Sequence, residues 1–310
     1  MCTYNGSLYL KEQIDSIFRQ SILPSFILIS DNNSSDSTVN ECHRLFEFYG
    51  FLNYKIISFD GKGAANNFIY ALSQYESEAD FLFLSDQDDV WVQDKADIQI
   101  SIMRQADIDM PSIVYTDSLV VGSSLQLINA SFFSFQGLDE RVFLDNSIYF
   151  RNCVQGATLS LNKRAVALVK DSIKKVNTTN ILMHDWWIAI LIHHYGVAMY
   201  LNKPLVQYRQ HCSNTIGARK RRTIFSYFFN VSDYLRSCDK SISQCNEFFL
   251  YTKACDSFYS ERKSIEINTF KSVSAIFNFF ILGMTIHYIP ILKRMLLFVV
   301  CLFRTFFRKT

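Results

Sequence analysis

The chain has 310 residues, 31 Lys plus Arg against 29 Asp plus Glu, and a formal net charge of +2. That length holds one large domain or a domain with an appendage, and so even a balance gives no electrostatic case for a nucleic-acid partner. Its 8 cysteines show neither a C-x-x-C pair nor zinc-ligand spacing, and read as reduced, buried thiols of a cytosolic protein.

Residues 1–6 read as the tail of a strand and the loop after it, with almost no apolar run before Thr3 and no signal peptide. Asn5 or Ser7 is placed to cap the next helix, whose buried stripe is Leu10, Ile14, Ile17 and Phe18. Residues 26–30 are a second, continuously apolar strand ending in the polar loop 31–38. A helix over 39–49, a strand over 54–58 and a small-residue turn at 61–67 follow, the last leading into a helix that ends near residue 75.

Phe81, Leu82, Phe83 and Leu84 then run straight into Asp86, Asp88 and Asp89. The apolar run predicts a strand buried on both faces. The carboxylates fall just beyond its carboxyl end, where open α/β sheets bind ligands. Two unit charges about 4 Å apart repel by roughly 4 kcal/mol at an effective dielectric near 20, so the cluster calls for a cation, a proton or water. Oxygen ligation favours Mg²⁺ or Mn²⁺ over zinc. A solvated acidic turn capping the next helix has the same sequence.

Strand–helix alternation over the first 90 residues predicts right-handed crossovers and a doubly wound sheet. Its three polar loops, at 3–6, 31–37 and 85–89, then share one edge. Gly61 and Gly63 lack the third glycine of a dinucleotide fingerprint, and no G-x-x-x-x-G-K-[ST] loop occurs.

A helix over 95–105 and a strand over 112–115 come next. Residues 117–150 are aromatic-rich and aperiodic, and read as extended pieces and loops of an acceptor-side wall. Gly156, within 152–161, is either a close approach of backbone to ligand or an ordinary strand glycine. After a helix over 163–175, the run His184, Asp185, Trp186, Trp187 opens an apolar helix ending at 195. The helix N-terminus keeps Asp185 ionised, the state of a general base and equally of a plain cap. Short strands over 197–200 and 205–210 follow, and the second brings Arg209 and His211 together near an edge. That pair suits a phosphate or a metal, or holds a structural histidine.

The run Arg219, Lys220, Arg221, Arg222 is a solvated face or a phospholipid-facing patch. Residues 272–292 lack Asp, Glu, Lys and Arg, and as a helix would be roughly 31 Å long, but they include Asn278, His287 and Pro290. A stripe of Leu292, Met295, Leu296, Val299, Val300, Phe303 and Phe307, with Lys293, Arg294, Arg304 and Arg308 elsewhere, favours a helix lying in the membrane interface over a span or a soluble bundle.

Six motifs stand in order: T-Y-N-G at Thr3, D-x-x-S-S-D at Asp31, S-D-Q-D-D-V-W at Ser85, Q-G-x-T at Gln155, H-D-W-W at His184 and Y-R-Q-H-x-x-N at Tyr208. Together they resemble the family 2 glycosyltransferases of the GT-A fold, in particular the rhamnosyltransferase-like members of bacterial surface-polysaccharide synthesis. The resemblance covers residues 1–217. It implies an α/β fold with a doubly wound mixed sheet and a Rossmann-like nucleotide half, and leaves 218–310 as a helical, membrane-associating appendage.

The implied activity is inverting and metal-dependent, of hexosyltransferase type. A sugar, expected to be rhamnose, leaves a donor such as dTDP-rhamnose or a UDP-sugar for a hydroxyl of a glycan or polyprenyl-diphosphate-linked acceptor in O-antigen or capsule synthesis. The implied location is the cytoplasmic face of the cell membrane, peripherally bound. Carried over by position, Thr3 and Asp31 contact the nucleoside base, with Asn66 near it, and Asp86 approaches the ribose. Asp88, the key residue of the DXD motif, ligates Mg²⁺ or Mn²⁺ and Asp89 supports it. Gly156 admits the donor, and Asp185 is the general base. Arg209 and His211 hold the diphosphate or complete the metal shell, His184 supports the base, and Trp186 and Trp187 stack on sugar rings.

Two departures stand out. The short first strand points to a misplaced start codon or a truncated chain. Asn32 and Asn33 stand where the family has Asp-Gly, a turn Asn can still make in the left-handed region. Both leave room for a degenerate, non-catalytic member acting as a membrane-bound assembly partner. A metal-dependent phosphohydrolase would use the Asp cluster but has no need of His184 to Trp187 or Tyr208 to His211.

Overall fold

The computed structural model describes residues 1–211, 231–255 and 286–307. Asn214, the basic run at 219–222 and most of the apolar stretch 272–292 lie outside them. The chain divides into two compact units, one of Met1–Leu138, Val154–Ile173 and Met183–Lys220, the other of Asp139–Cys153, Lys174–Leu182 and Arg221–Thr310.

The first unit opens with strand–helix alternation as the sequence predicts: β1 (Cys2–Thr3), α1 (Ser7–Phe18), β2 (Ile27–Asp31), α2 (Thr38–Phe48), β3 (Tyr54–Ser58), α3 (Ala64–Gln74) and β4 (Phe81–Phe83). Strands β1, β2 and β3 are parallel neighbours, with Ile27 opposite Tyr54 and Asp31 opposite Ser58. Every residue of β2 is buried, as its unbroken apolar run requires. Leu10, Ile14 and Ile17 of α1 join Cys42, Leu45 and Phe46 of α2 in the core beside it.

The later elements are β5 (Val90–Trp91), α4 (Lys95–Met103), β6 (Ser112–Gly122), β7 (Leu127–Asn129), α5 (Phe132–Gln136), β8 (Ser160–Asn162), α6 (Lys163–Lys175), α7 (His184–Tyr195) and β9 (Val197–Gln210). They build a mixed sheet in the order β4–β8–β6–β9–β5, with β7 on β6. The Cys2 N–H donates to Ser85 O (3.2 Å), which joins the end of β1 to the end of β4.

Three expectations change. Strand β4 is only half-buried. It has an antiparallel neighbour, β8, on one side, and on the other meets β1 only at Ser85. The strand expected over 112–115 runs on to Gly122, and the two expected over 197–200 and 205–210 are one strand. Pro204 sits opposite Asp117, where the register shifts. Proline has no N–H for the ladder, so a signal that reads as a break is absorbed as an irregularity between two long parallel strands.

The third concerns capping. Neither Asn5 nor Ser7 caps α1, and Gly6 is its N-cap. Asp36 Oδ2 accepts from the Ser7 N–H (3.2 Å) and Thr38 Oγ1 from the Gly6 N–H (2.8 Å). Asp36 Oδ1 also accepts from the Thr38 N–H (2.9 Å) at the head of α2. One carboxylate thus serves two helix starts. The substituted turn at Asn32 and Asn33 forms, with Asn33 at φ 54°.

In the second unit, helix Val231–Cys255 packs against helix Ile291–Phe307. Leu297 and Val300 face inward, while Ile291, Met295 and Val299 are exposed one turn apart. The apolar stripe expected there is therefore split between two faces. Among the described residues no helix is long and apolar enough to cross a membrane.

Lys95 is fully buried. Its Nζ lies 4.8 Å from the Phe83 ring centroid and 4.2 Å from that of Trp91, and donates to Gln99 Oε1 (2.6 Å). Burial pushes its pKa down to about 7. The unfolded chain therefore binds the extra proton between pH 7 and its ordinary 10.5, and stability rises with pH across that window. Lys95→Met is expected to flatten the rise, as read by urea unfolding at intervals across the window. Asp36→Ala removes caps from two helices and is expected to cost about 1–2 kcal/mol, measured by the same unfolding at pH 7.

Candidate active site

The three polar loops meet as their shared edge demands. Gln87 Oε1 accepts from the Tyr4 N–H (2.8 Å) and its Nε2 donates to Tyr4 O (2.9 Å). The Asn5 N–H donates to Ser34 Oγ and the Ser35 N–H to Asn5 Oδ1, each at 2.8 Å. Thr3 Oγ1 donates to Asp31 Oδ1 (2.6 Å), and the Asp31 carboxylate also takes the Ser34 N–H and hydroxyl. Thr3 and Asp31 are 2% and 4% exposed. Asp31 also lines an open pocket of about 740 Å³ with Asn33 and Ser34, running along β3 from Tyr54 to Ser58.

The acidic cluster lies beside these loops. Burial, then the carboxylates of Asp88 and Asp185, push Asp86 up to about 7. Asp89 is raised well above the ordinary carboxylate value by burial, then by Asp88 and Asp86. Its Oδ1 accepts from the Arg209 N–H (3.0 Å), and its buried Oδ2 has no partner among the described residues. Asp88 Oδ2 lies 2.7 Å from His211 Nε2, across 123 residues of sequence. The Tyr9 ring lies tilted by 33° against His211 with centroids 4.7 Å apart, and its centroid is 4.6 Å from the Arg209 guanidinium carbon.

The other half of the site comes from α7. Asp185, in its first turn, takes the Gly156 N–H on Oδ2 (3.0 Å) and the Trp186 N–H on Oδ1 (2.6 Å). Two N–H donors and a helix N-terminus all favour the ionised form. His184 stacks on Phe68 with centroids 4.0 Å apart, and burial pushes its pKa down to about 3, so it is neutral. Neither of its ring nitrogens has a partner among the described residues.

The sequence-derived residues therefore converge: Asp86, Asp88, Asp89, Asp185 and His211 share one site. Others take different places. Arg209 is 1% exposed and spends its guanidinium on Asp88 O, Ser123 O and Glu12, so it braces the acidic loop from beneath instead of presenting itself to a diphosphate. Asn66 is exposed and donates to Lys62 O, whereas Asn67 reaches the strand ends, taking the Ser30 hydroxyl (2.6 Å) and donating to Ser30 O (2.9 Å). Trp187 is a core residue whose Nε1 donates to Ser172 Oγ (3.0 Å), and Trp186 is buried too, so neither offers a face to a sugar. Gly156 starts a 3-10 turn, not a strand. Glu12, Tyr9 and Asn67 carried no motif signal, since their partners lie far away in sequence, and Gln87, inside the acidic motif, gave no sign of its bonds to Tyr4.

The sequence pattern described as glycosyl transferase family 2 matches residues 1–165. The chain belongs to that family. It is 26% identical over 230 residues to the dTDP-rhamnosyl transferase RfbG of Shigella flexneri, which spans 70% of this chain and 74% of that protein. The crystal structure of S. aureus TarS 1-349 in complex with UDP aligns at TM-score 0.52 and 14% identity over 97% of this chain and 89% of that one. The same fragment without UDP in its description aligns at 0.51 over 92% and 79%. At such identity these structures establish the fold, a GT-A glycosyltransferase domain.

The space at Gly156, on one side of Asp185, is taken. A Cβ on Gly156 would come within 2.6 Å of His184 Nε2 and 3.6 Å of Asp185 Oδ2. His184 is held by Phe68 and has little room to yield. Gly156→Ala is expected to destabilise the protein by about 1–3 kcal/mol, read as a lowered urea midpoint. An unchanged midpoint would show that His184 moves aside freely.

Proposed function

We propose that the protein is an inverting, metal-dependent glycosyltransferase that moves a sugar from a nucleoside-diphosphate donor to an acceptor hydroxyl. The observation that carries the reading is the convergence of the two motif halves: His211 on Asp88 at 2.7 Å, and Asp185 near enough to raise Asp86. Neither contact has a reason to exist in a simple acidic cap.

Asp88 and His211 offer two protein ligands, and among the described residues no group of three acidic, histidine or cysteine side chains is placed to hold one metal ion. That fits Mg²⁺ or Mn²⁺ completing its shell with substrate phosphate and water, and does not fit a closed structural site. The raised Asp86 and Asp89, and the partnerless Asp89 Oδ2, mark a recess short of positive charge. When bound, such an ion neutralises charge on the departing nucleoside diphosphate.

The chain's own residues do the rest. The stitched loops around Thr3 and Asp31 hold the nucleoside end. Arg209 holds the Asp88 and Asp89 loop in place. Asp185, fixed by two N–H groups, accepts the proton of the attacking hydroxyl as it reaches the anomeric carbon, and one displacement inverts that carbon. Similarity to a dTDP-rhamnosyl transferase supports dTDP-rhamnose as donor. A glycan or polyprenyl-diphosphate-linked acceptor of surface-polysaccharide synthesis goes with that donor. The exposed Ile291, Met295 and Val299 support peripheral docking at the inner membrane face.

The test is nucleoside diphosphate release across a panel of nucleotide sugars, with Mg²⁺, Mn²⁺ or a chelator. Asp88→Ala is expected to lose metal-dependent nucleotide binding. Asp185→Asn is expected to keep donor binding and lower kcat by about 10²–10⁴-fold. Full transfer by Asp185→Asn would overturn the assigned base. Calorimetry showing no metal-dependent nucleotide binding by the unaltered chain would favour a non-catalytic assembly role.

A further inference from the structure

Helix α1 turns one face toward the acidic loop. Tyr9, Glu12, Gln13 and Ser16 recur at helical spacing on that face. Gln13 Nε2 donates to Ser85 Oγ (2.9 Å), just ahead of the three carboxylates. Ser16 Oγ accepts from the Trp91 N–H (3.0 Å), just after them. Gln20, beyond the helix end, accepts the Ala96 N–H (3.0 Å) and donates to Val92 O (2.8 Å). Glu12 pairs with Arg209, beneath the loop. All of these contacts are hydrogen bonds or ion pairs between the helix side and the loop or its brace.

Tyr9 differs, because it acts through its ring. Its centroid lies 4.6 Å from the Arg209 guanidinium carbon and 4.7 Å from the His211 centroid. Side chains alternate along a strand, so residues 209 and 211 leave the end of β9 toward the same side, and both reach Tyr9. Arg209 has the sheet for support, standing opposite Val121 of β6. His211 lies one residue past Gln210, where β9 ends, so the ladder does not reach it. Its Nε2 meets Asp88 Oδ2 at 2.7 Å, and its ring lies against Tyr9. A hydrogen bond at one ring nitrogen fixes that atom but lets the ring swing about it. An aromatic surface packed against the ring removes that freedom. Orientation matters for a metal-binding imidazole, because the residues around it decide where its lone pair points.

We propose that Tyr9 is a positioning residue for the cation site: its ring sets the plane of His211, so that Nε2 stays aimed at the place beside Asp88 where the cation is received. The inference rests on the metal-dependent reading proposed above.

The experiment titrates Mn²⁺ into the full chain with dTDP present and reads free Mn²⁺ by electron paramagnetic resonance. Tyr9→Phe keeps the ring and is expected to match the unaltered chain. Tyr9→Leu, with Tyr9→Met as a second non-planar replacement, is expected to weaken Mn²⁺ binding by about 10–100-fold, the usual cost of removing a group that orients a metal ligand. Within a His211→Ala chain, Tyr9→Leu is expected to cost nothing more. Unchanged affinity in the Leu and Met variants would overturn the proposal. So would an equal loss in Tyr9→Phe, which would make the hydroxyl a ligand contact, or an undiminished further loss in the His211→Ala chain.

The His211 imidazole nitrogen shifts, read by NMR without metal, test Tyr9 apart from the cation. They are expected to move toward those of a solvent-exposed imidazole in Tyr9→Leu and to stay in place in Tyr9→Phe. Unmoved shifts in Tyr9→Leu would overturn the role of Tyr9 even where Mn²⁺ binds. Absence of Mn²⁺ uptake by the unaltered chain, with the shifts moving as expected, would overturn the metal-dependent reading and still support Tyr9 as the residue that seats His211.

Discussion

Three carboxylates within four residues must be held in a recess without flying apart, and the rest of the site is arranged to meet that demand. The restraint comes from β9. The Arg209 N–H binds Asp89, its Nε binds the Asp88 carbonyl, and its guanidinium reaches Glu12 on α1. His211 then takes the Asp88 side chain. A buried guanidinium tolerates this position because every part of its fork meets an acceptor and a Tyr9 ring lies against it. The acidic loop is thereby fixed in direction, while its own charge stays under-compensated. A rigid, electron-rich recess of this kind suits the proposed cation arriving together with its anionic substrate.

The same economy appears where the strands end. The loops after β1 and β2 and the Gln87 loop after β4 bond to one another more than to their own helices. Asp36 caps α1 from the neighbouring loop, and Gln87 takes both polar groups of Tyr4. A surface made of cross-linked loops keeps its shape without ligand. Asp185, the proposed base, is fixed by a comparable device, anchored by Gly156, a residue with no side chain to intrude.

Much of the first hundred residues was legible because buried parallel strands write themselves as unbroken apolar runs and their loops as polar punctuation. Residues 26–31 are of this kind, while 54–58, interrupted by Lys55, form a strand that is only partly buried. Legibility failed where a residue's meaning depends on direction. Arg209 reads as a phosphate ligand from its charge, yet its side chain turns inward. Trp187 reads as a sugar platform from its aromaticity, yet it fills the core. Asn66 and Asn67 are indistinguishable in sequence, and only the phase of α3 decides which one meets Ser30. Residues 197–200 and 205–210 read as two strands, yet a long parallel neighbour carries one strand past Pro204.

The sequence by itself determined the family, the acidic cluster and the order of the motifs, because these depend on residue type and spacing along the chain. Only the tertiary structure decided that Asp88 meets His211, that the Asp185 carboxylate comes within electrostatic reach of Asp86, and that β4 keeps one side largely open next to β1. Each of these joins positions far apart in the chain. Local propensity carries no information about such pairs, since their energies exist only once the sheet has brought the strand ends together.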